Sequence, residues 1–149
     1  SSWDNRHIVS LTATRELGLW DVGMKWRFTN GAPFTPYDRE TSSLIAAWEA
    51  KKQPYPDYSR FNSERASSFH QLDIRVDRSF YFKKWSLILY ADIQNIYNHK
   101  TKSPDLLVPQ ENSDGSYKID PERPDHYLMR YIKNDTGSLL PSVGIIVEF

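Results

Sequence analysis

The sequence predicts an antiparallel all-β fold of about five long strands that form a segment of a transmembrane β-barrel. Along five stretches, apolar and polar residues alternate with a period of two, as in a strand with one face in an apolar medium. The connections between these stretches alternate between short and long, an asymmetry typical of outer-membrane barrels. Aromatic residues make up 14% of the chain, and several lie near the ends of the apolar faces, where such barrels carry aromatic girdles.

The composition narrows the class of function. The 149 residues carry no net charge and include no cysteine, which leaves no electrostatic basis for binding nucleic acid and excludes thiolate catalysis. The four histidines are scattered without the spacing of a metal site, and no nucleophile elbow is present. We therefore expect no metal, no cofactor and no enzymatic activity. No stretch has the ~18 apolar residues of a transmembrane helix, but strands escape this test because only every second residue is apolar.

The first two predicted strands cover residues 6–17 and 20–30. Gly18 and Leu19, between them, suffice for a two-residue turn. On one face of the second strand lie five large apolar side chains, namely Trp20, Val22, Met24, Trp26 and Phe28. A soluble sheet packed on a core would alternate in the same way, so this pattern alone does not distinguish a soluble protein from a membrane protein.

A long polar excursion follows over residues 31–68. Prolines keep its ends out of regular structure, and residues 42–52 predict one short helix with Ser or Thr before it and lysines at its end. A loop this long indicates a functional segment or a special architecture.

The remaining predicted strands cover residues 69–83, 85–98 and 139–149. Lys83 and Lys84 form a second short turn, and a second excursion over residues 99–138 precedes the last strand. The Asp114–Gly115 dipeptide predicts a small hairpin inside that excursion.

The connection lengths predict how the strands cross a membrane. Two tight turns lie at one end of the strands and two excursions at the other. A strand of about 11 residues spans roughly 36 Å, or about 25 Å when tilted near 45°, which matches the apolar band of an outer-membrane barrel. We therefore expect a location in the bacterial outer membrane, with loops 31–68 and 99–138 outside the cell and the last strand ending in the periplasm.

Five motifs follow one another along the chain. They are Asp4–His7 (DNRH), Phe28–Tyr37 (FTNGAPFTPY), Leu72–Asp77 (LDIRVD), Leu89–Asn98 (LYADIQNIYN) and Leu139–Phe149 (LLPSVGIIVEF). In this order they resemble the C-terminal end of a TonB-dependent outer-membrane receptor of the Bacteroidetes type. The resemblance covers all five strands but not the loops.

The resemblance implies a barrel of about 22 strands around a plug domain. Such a receptor imports a nutrient, for example a siderophore, glycan or peptide, with energy from the inner membrane. We interpret residues 1–149 as the last five strands, without the plug. The implied partners are outer-membrane lipid, the rest of the barrel with its plug, the TonB complex through an N-terminal part, the barrel assembly machinery through Phe149, and a surface lipoprotein. Two alternatives stay open, another outer-membrane barrel (a porin or adhesin) and a soluble β-sandwich or small barrel acting as a binding module.

Polar residues on the strands are candidates for the inner wall of the barrel. They are Lys25, Arg27, Asp73, Arg75, Asp77, Asp92 and Gln94. A two-residue turn at Lys83 and Lys84 predicts three cross-strand pairs, Arg75 with Asp92, Asp77 with Tyr90, and Asp73 with Gln94. This register favours a structural ladder over contact with a ligand.

Aromatic residues in the two excursions are candidates for stacking on a ligand. They are Trp48, Tyr55, Tyr58, Tyr127 and Tyr131. Packing within the loops is the commoner use of such residues.

Two arginines, Arg15 and Arg78, fall on the apolar phase of their strands. Arg15 lies near a turn and can extend its charge to the membrane surface. Arg78 is deeper, where a cation costs roughly 2–4 kcal/mol near the bilayer centre. We expect either a bulge that redirects Arg78 or a strand that projects into the periplasm.

Overall fold

The computed structural model describes all of residues 1–149, and the chain divides into two compact units. The loop unit contains residues 1–4, 32–67 and 102–135, and the sheet unit contains residues 5–31, 68–101 and 136–149. Strands account for 54% of the residues and helices for 10%. The prediction of an antiparallel all-β fold is confirmed at this level, and the sheets do not close into a barrel.

Seven strands have eight or more residues and two have only two. The strands are β1 (Ile8–Leu17), β2 (Trp20–Thr29), β3 (Pro33–Phe34), β4 (Glu64–Arg65), β5 (Phe69–Tyr81), β6 (Ser86–Gln94), β7 (Thr101–Pro109), β8 (Met129–Thr136) and β9 (Leu140–Glu148), and the helices are α1 (Arg39–Ser43) and α2 (Ile45–Lys51). The prediction of five long strands is therefore too low, because β7 and β8 lie in the excursion over residues 99–138 that was predicted as a loop. The sheet unit is built on one antiparallel sheet with strand order β1-β2-β5-β6-β9. Within this sheet, each strand therefore pairs with the strand of the same sheet that precedes or follows it in the chain, which is the simplest antiparallel topology.

Two tight turns lie at one end of this sheet. Leu17 pairs with Trp20 across the first turn, and Gly18 adopts a φ of 68° that few other residues tolerate. In the second turn, the Phe82 amide donates to the Trp85 carbonyl at 2.9 Å. The chain leaves the opposite end of the sheet after β2 and after β6, and it returns to that end at the start of β5 and of β9.

The register between β5 and β6 matches two of the three predicted pairs. Arg75 lies opposite Asp92, and Asp77 lies opposite Tyr90. The predicted pair of Asp73 with Gln94 is wrong, because this ladder ends one position earlier and Gln94 pairs with Leu140 of β9. The chain turns away there because Asn95 adopts a φ of 53°, and Asp73 instead accepts a hydrogen bond from the Asn95 amide at 3.0 Å. This turn also ends β6 four residues before the predicted end at residue 98.

The sheet unit has no hydrophobic core of its own. Every residue of β1 is exposed, and on the apolar face Leu11, Val143 and Ile145 are 59%, 82% and 68% exposed. The sheet is a single layer, since the sheet unit holds no other element that could pack on it. Its apolar face is therefore left without the second layer that soluble domains provide.

The buried core lies in the loop unit instead. It consists of Trp48, Leu107 and Met129, which come from α2, β7 and β8. The two long excursions thus fold together around a shared centre. Two backbone hydrogen bonds join them close by, from the Ile45 amide to the Asp125 carbonyl at 2.9 Å and from the Tyr127 amide to the Ser43 carbonyl at 2.7 Å.

The single helix predicted over residues 42–52 is wrong in its extent. Two short helices, α1 and α2, are separated by Leu44, whose ψ of 124° is not helical. Leu44 forms a β-bridge with His126 of the other excursion, so long-range pairing overrides local helix propensity here. α1 begins at Arg39 because the Asp38 side chain accepts a hydrogen bond from the Thr41 amide at 3.1 Å.

The small hairpin predicted at Asp114 and Gly115 is present within the loop unit. Glu111 and Tyr117 form a β-bridge across it, and Gly115 adopts a φ of 85°. The longer partner of β7, however, is β8, and these two strands form a separate sheet.

The loop unit is expected to lose stability in acid. Local hydrogen bonds lower the pKa of four of its carboxyl groups. The largest cause is a hydrogen bond from Lys52 for Glu49, from the Ser59 hydroxyl for Asp57 and from the Ser116 hydroxyl for Asp114. For Asp120 the largest cause is the backbone amide of Glu122. A carboxyl group with a lowered pKa in the folded state stabilises the fold above its ordinary pKa and loses that contribution as the pH falls through the lowered value.

We therefore expect thermal unfolding of the loop unit to be insensitive to pH near neutrality and to shift to lower temperature below the ordinary values of 4.5 for Glu49 and 3.8 for the aspartates. Near-ultraviolet circular dichroism across a pH series measures this. Asp57→Asn should flatten the acid limb, whereas Glu111→Gln, which removes an exposed carboxylate without a salt bridge, should leave it unchanged. An acid limb that is identical in both variants would contradict the assignment.

Candidate functional site

The polar face of the sheet brings most of the predicted wall residues together. Asp73 is the centre of one group, since Arg27 Nη2 lies 3.4 Å from its Oδ2 and Gln71 donates to its Oδ1 at 2.6 Å. Lys25 lies directly opposite Asp73 on the neighbouring strand. Asp73 is therefore surrounded by donors and positive charges from β2, β5 and the turn after β6.

Arg75 is the centre of the second group. Its Nε donates to Asp77 Oδ1 at 2.8 Å, and its guanidinium lies 4.3 Å from the centroid of the Tyr90 ring. Asp92 lies opposite Arg75 in the ladder. Positive and negative side chains thus compensate one another across the polar face of the sheet, and this arrangement is typical of a structural ladder.

Tyr90 is held between Arg75 and a glycine. Gly144 lies directly opposite Tyr90, and a Cβ built on Gly144 would overlap Cζ and Oη of the Tyr90 ring. The ring therefore lies over the bare backbone of β9, with the guanidinium close to it. This packing requires glycine at residue 144 for reasons of space.

Arg78 stays on the apolar face, and the expectation of a bulge is wrong. The residue pairs with Trp20 on one side and Leu89 on the other in uninterrupted ladders. Its guanidinium lies 4.6 Å from the Trp20 ring centroid and 5.3 Å from that of Phe80. The charge is thus placed over aromatic faces near the tight-turn end of the sheet, where cation–π contact offsets part of the cost of an apolar environment.

The loop aromatics have different roles. Trp48 is buried in the core of the loop unit. Tyr55 donates to the Ala47 carbonyl at 2.9 Å, and Tyr127 donates to Glu49 at 3.0 Å. Burial, followed by this hydrogen bond, raises the pKa of Tyr127. These three side chains pack or hydrogen-bond within the loop unit, while Tyr58 and Tyr131 are 73% and 51% exposed.

A cleft of about 700 Å³ lies within the loop unit, and Tyr131 is part of its wall. Two further aromatic residues, Phe34 and Tyr37, contribute to the lining, together with Pro36 and Pro104. Its size falls in the range of small-molecule sites. This cleft could not be predicted from the sequence, because its walls come from segments that are far apart in the chain and that meet only through the fold of the loop unit.

Ser67 joins two of these segments. Its hydroxyl donates to the Lys102 carbonyl at 2.8 Å and accepts from the Lys102 amide at 2.9 Å, so one side chain replaces a pair of backbone hydrogen bonds. Nearby, β3 and β4 form an antiparallel pair in which Phe34 lies opposite Glu64. The cleft is therefore formed by ordered backbone.

A buried serine–histidine pair does not form a nucleophile. His126 Nδ1 lies 2.7 Å from Ser43 Oγ, while that hydroxyl donates its proton to the Glu40 carbonyl at 2.9 Å. The Glu40 carbonyl therefore competes with His126 for the single proton of this hydroxyl. Ser43 is also only 2% exposed, which leaves no room for a substrate.

Two of the scattered histidines meet in the sheet unit. The rings of His70 and His99 lie 3.6 Å apart between centroids, and the Tyr97 hydroxyl lies 2.8 Å from His70 Nδ1. This pair could not be predicted from the sequence, because it depends on the turn after β6. No group of three or more metal-ligating side chains comes together anywhere in the chain.

The chain matches no protein-family model, no curated protein and no solved structure. Both helices are too short to cross a bilayer.

Proposed function

We propose that the chain forms part of the barrel wall of a TonB-dependent outer-membrane receptor, which imports a nutrient such as a siderophore, glycan or peptide. The observation that carries this proposal is the single-layer sheet with an exposed apolar face and a polar face on which charges pair. A soluble monomer rarely exposes a continuous apolar surface of this kind. In a barrel wall, lipid covers the apolar face and the interior covers the polar face.

The open edges of the sheet support the same proposal. β1 and β9 each have one neighbour only, so the outer edge of each carries unpaired N–H and C=O groups. In hydrocarbon each such group costs several kcal/mol, and barrels avoid this by closing. The proposed protein therefore needs further strands, from the rest of its own barrel, on both edges.

The remaining parts of the proposal come from the resemblance of the five motifs. A plug domain inside the barrel would contact the polar face, and the TonB complex would act through an N-terminal part. The terminal strand with Phe149 would serve as the signal for the assembly machinery, and a surface lipoprotein is a further candidate partner. The location would be the bacterial outer membrane. The proposal includes no binding of nucleic acid and no enzymatic reaction.

Labelling of intact cells tests the proposal. The chain contains no cysteine, so each introduced cysteine is the only reactive thiol in it. Ala50→Cys and Ser113→Cys, one in each long connection, are expected to react with a membrane-impermeant maleimide added to intact cells. Lys84→Cys, in a tight turn, is expected to react only after the outer membrane is permeabilised.

The comparison between sites is its own control, because all three residues are exposed. Reaction at Lys84→Cys in intact cells, with the two loop sites protected, would contradict the proposed orientation. Recovery of all three variants in the soluble fraction would favour the binding-module alternative.

A further inference from the structure

The walls of the cleft in the loop unit combine flat apolar surfaces with charges. Phe34, Tyr37 and Tyr131 contribute aromatic surface, and Pro36 and Pro104 add rigid apolar surface. Such residues bind a ligand through contact area with little loss of side-chain entropy. A purely ionic ligand would leave this surface unused.

The charges around the cleft fall into two groups. Arg60 and Arg65 are each held by a carboxylate, Asp57 at 2.7 Å and Asp4 at 2.8 Å. Glu64, Lys102 and Asp105 also line the cleft and take part in none of the salt bridges of the chain. The cleft therefore presents charges of both signs that form no salt bridge, although Glu64 lies near enough to Arg60 to contribute to its raised pKa.

We infer that this cleft binds a short peptide that carries both a positive and a negative charge. A terminal carboxylate would meet Lys102, and an ammonium or guanidinium group would meet Glu64 and Asp105. Apolar or aromatic side chains of the peptide would pack on the aromatic walls. The inference names the substrate class of the proposed receptor, and it rests on the proposed function.

Other ligand classes fit the same charges less well. A neutral oligosaccharide would stack on the aromatic rings, but it would cover three charged groups without offering any of them an opposite charge. A polyanion would be repelled by Glu64 and Asp105, and a polycation without a carboxylate would be repelled by Lys102. Only a ligand of mixed charge compensates all three groups.

Calorimetric titration of the natural protein, extracted from membranes in detergent, tests this inference. The probes are a tetrapeptide of alanine, lysine, tyrosine and alanine with free termini, the same peptide with an amidated C-terminus, and maltotetraose. We expect the free peptide to bind more tightly than maltotetraose. Lys102→Met should weaken binding of the free peptide about tenfold, the effect of one charge-assisted hydrogen bond, and should change binding of the amidated peptide far less.

Two further variants complete the test. The double variant Glu64→Gln with Asp105→Asn should also weaken binding of the peptide about tenfold, whereas Lys118→Met, a loop lysine outside the cleft, should leave it unchanged. Tighter binding of maltotetraose, or equal peptide affinity in all variants, would overturn the inference. The labelling of intact cells judges the receptor separately. If labelling places the loops outside the cell but no peptide binds, only the inferred ligand class is refuted. If the peptide binds but the chain is recovered as a soluble protein, only the proposed receptor is refuted.

Discussion

Trp48→Ala is expected to remove about 3–5 kcal/mol from the free energy of unfolding of the loop unit. Trp48 is 4% exposed and packs with Leu107 and Met129 in the only buried hydrophobic core of the chain. Its ring also meets Tyr117 edge to face, with 6.4 Å between centroids. Truncation would leave a cavity beside Leu107 and Met129, and we expect these two side chains not to fill it. Hydrogen exchange of amides in α2 and β8 measures the loss locally.

Trp48→Phe separates the size of the ring from its polarity. The indole Nε1 of Trp48 is buried without a hydrogen-bond partner, so phenylalanine removes an unsatisfied donor while keeping most of the ring. We expect Trp48→Phe to cost much less than Trp48→Ala. Tyr58→Ala, at an exposed position outside the core, should change little. Equal exchange rates for Trp48→Ala and the unaltered protein would show that this core does not hold the loops together.

Gly144→Leu is expected to disrupt the pairing of β9 with β6, at a cost of about 1–3 kcal/mol. The new side chain would occupy the space of the Tyr90 ring. The ring has to shift to make room, and the Arg75 guanidinium, which donates to Asp77, lies close to it. In the proposed receptor, we expect the fraction of folded, heat-modifiable protein in the outer membrane to fall sharply, because the pairing of β9 with β6 is disrupted.

A second glycine provides a matched control for this effect. Gly23 lies on the same polar face, and a Cβ there would meet only Thr14 Cγ2 at 3.5 Å, an ordinary contact distance. Gly23→Leu, which adds the same side chain, should therefore assemble far better than Gly144→Leu. Combining Gly144→Leu with Tyr90→Ala should restore much of the folded fraction, since the overlap disappears. A double variant no better than Gly144→Leu alone would mean that the overlap is not the cause.

The strands of the five-stranded sheet were predictable from the sequence because their apolar pattern repeats every second residue and each repeat is local. β7 and β8 were not predicted, because they lie in a polar excursion without that alternation. The tight turns at Gly18 and Lys83 followed from the spacing between those patterns. The end of β6 was not predictable in the same way, since it depends on the left-handed conformation of Asn95. The predicted strand was extended to residue 98, because the alternation of apolar and polar residues continues past Asn95.

The core of the loop unit could not be predicted from the sequence, for a different reason. The core pairs Trp48 with Leu107 and Met129, which lie far away in the sequence and in no periodic pattern. Trp48 was predicted as a candidate ligand contact because it lies in a polar loop, and it proved to be buried. The split of the predicted helix at Leu44 has the same origin, a β-bridge to His126. Tyr131 was the one residue of the cleft that the sequence indicated.

In the proposed receptor, one face of the sheet meets lipid and the other meets the barrel interior. Nitroxide labels on single cysteines measure this directly, at Val22, Ile74 and Leu89 on the apolar face and at Lys25, Arg75 and Asp92 on the polar face. In the membrane-embedded protein, the first set is expected to be accessible to oxygen and shielded from a polar relaxation agent, and the second set to show the reverse. Equal accessibility of both sets to the two agents would contradict the account.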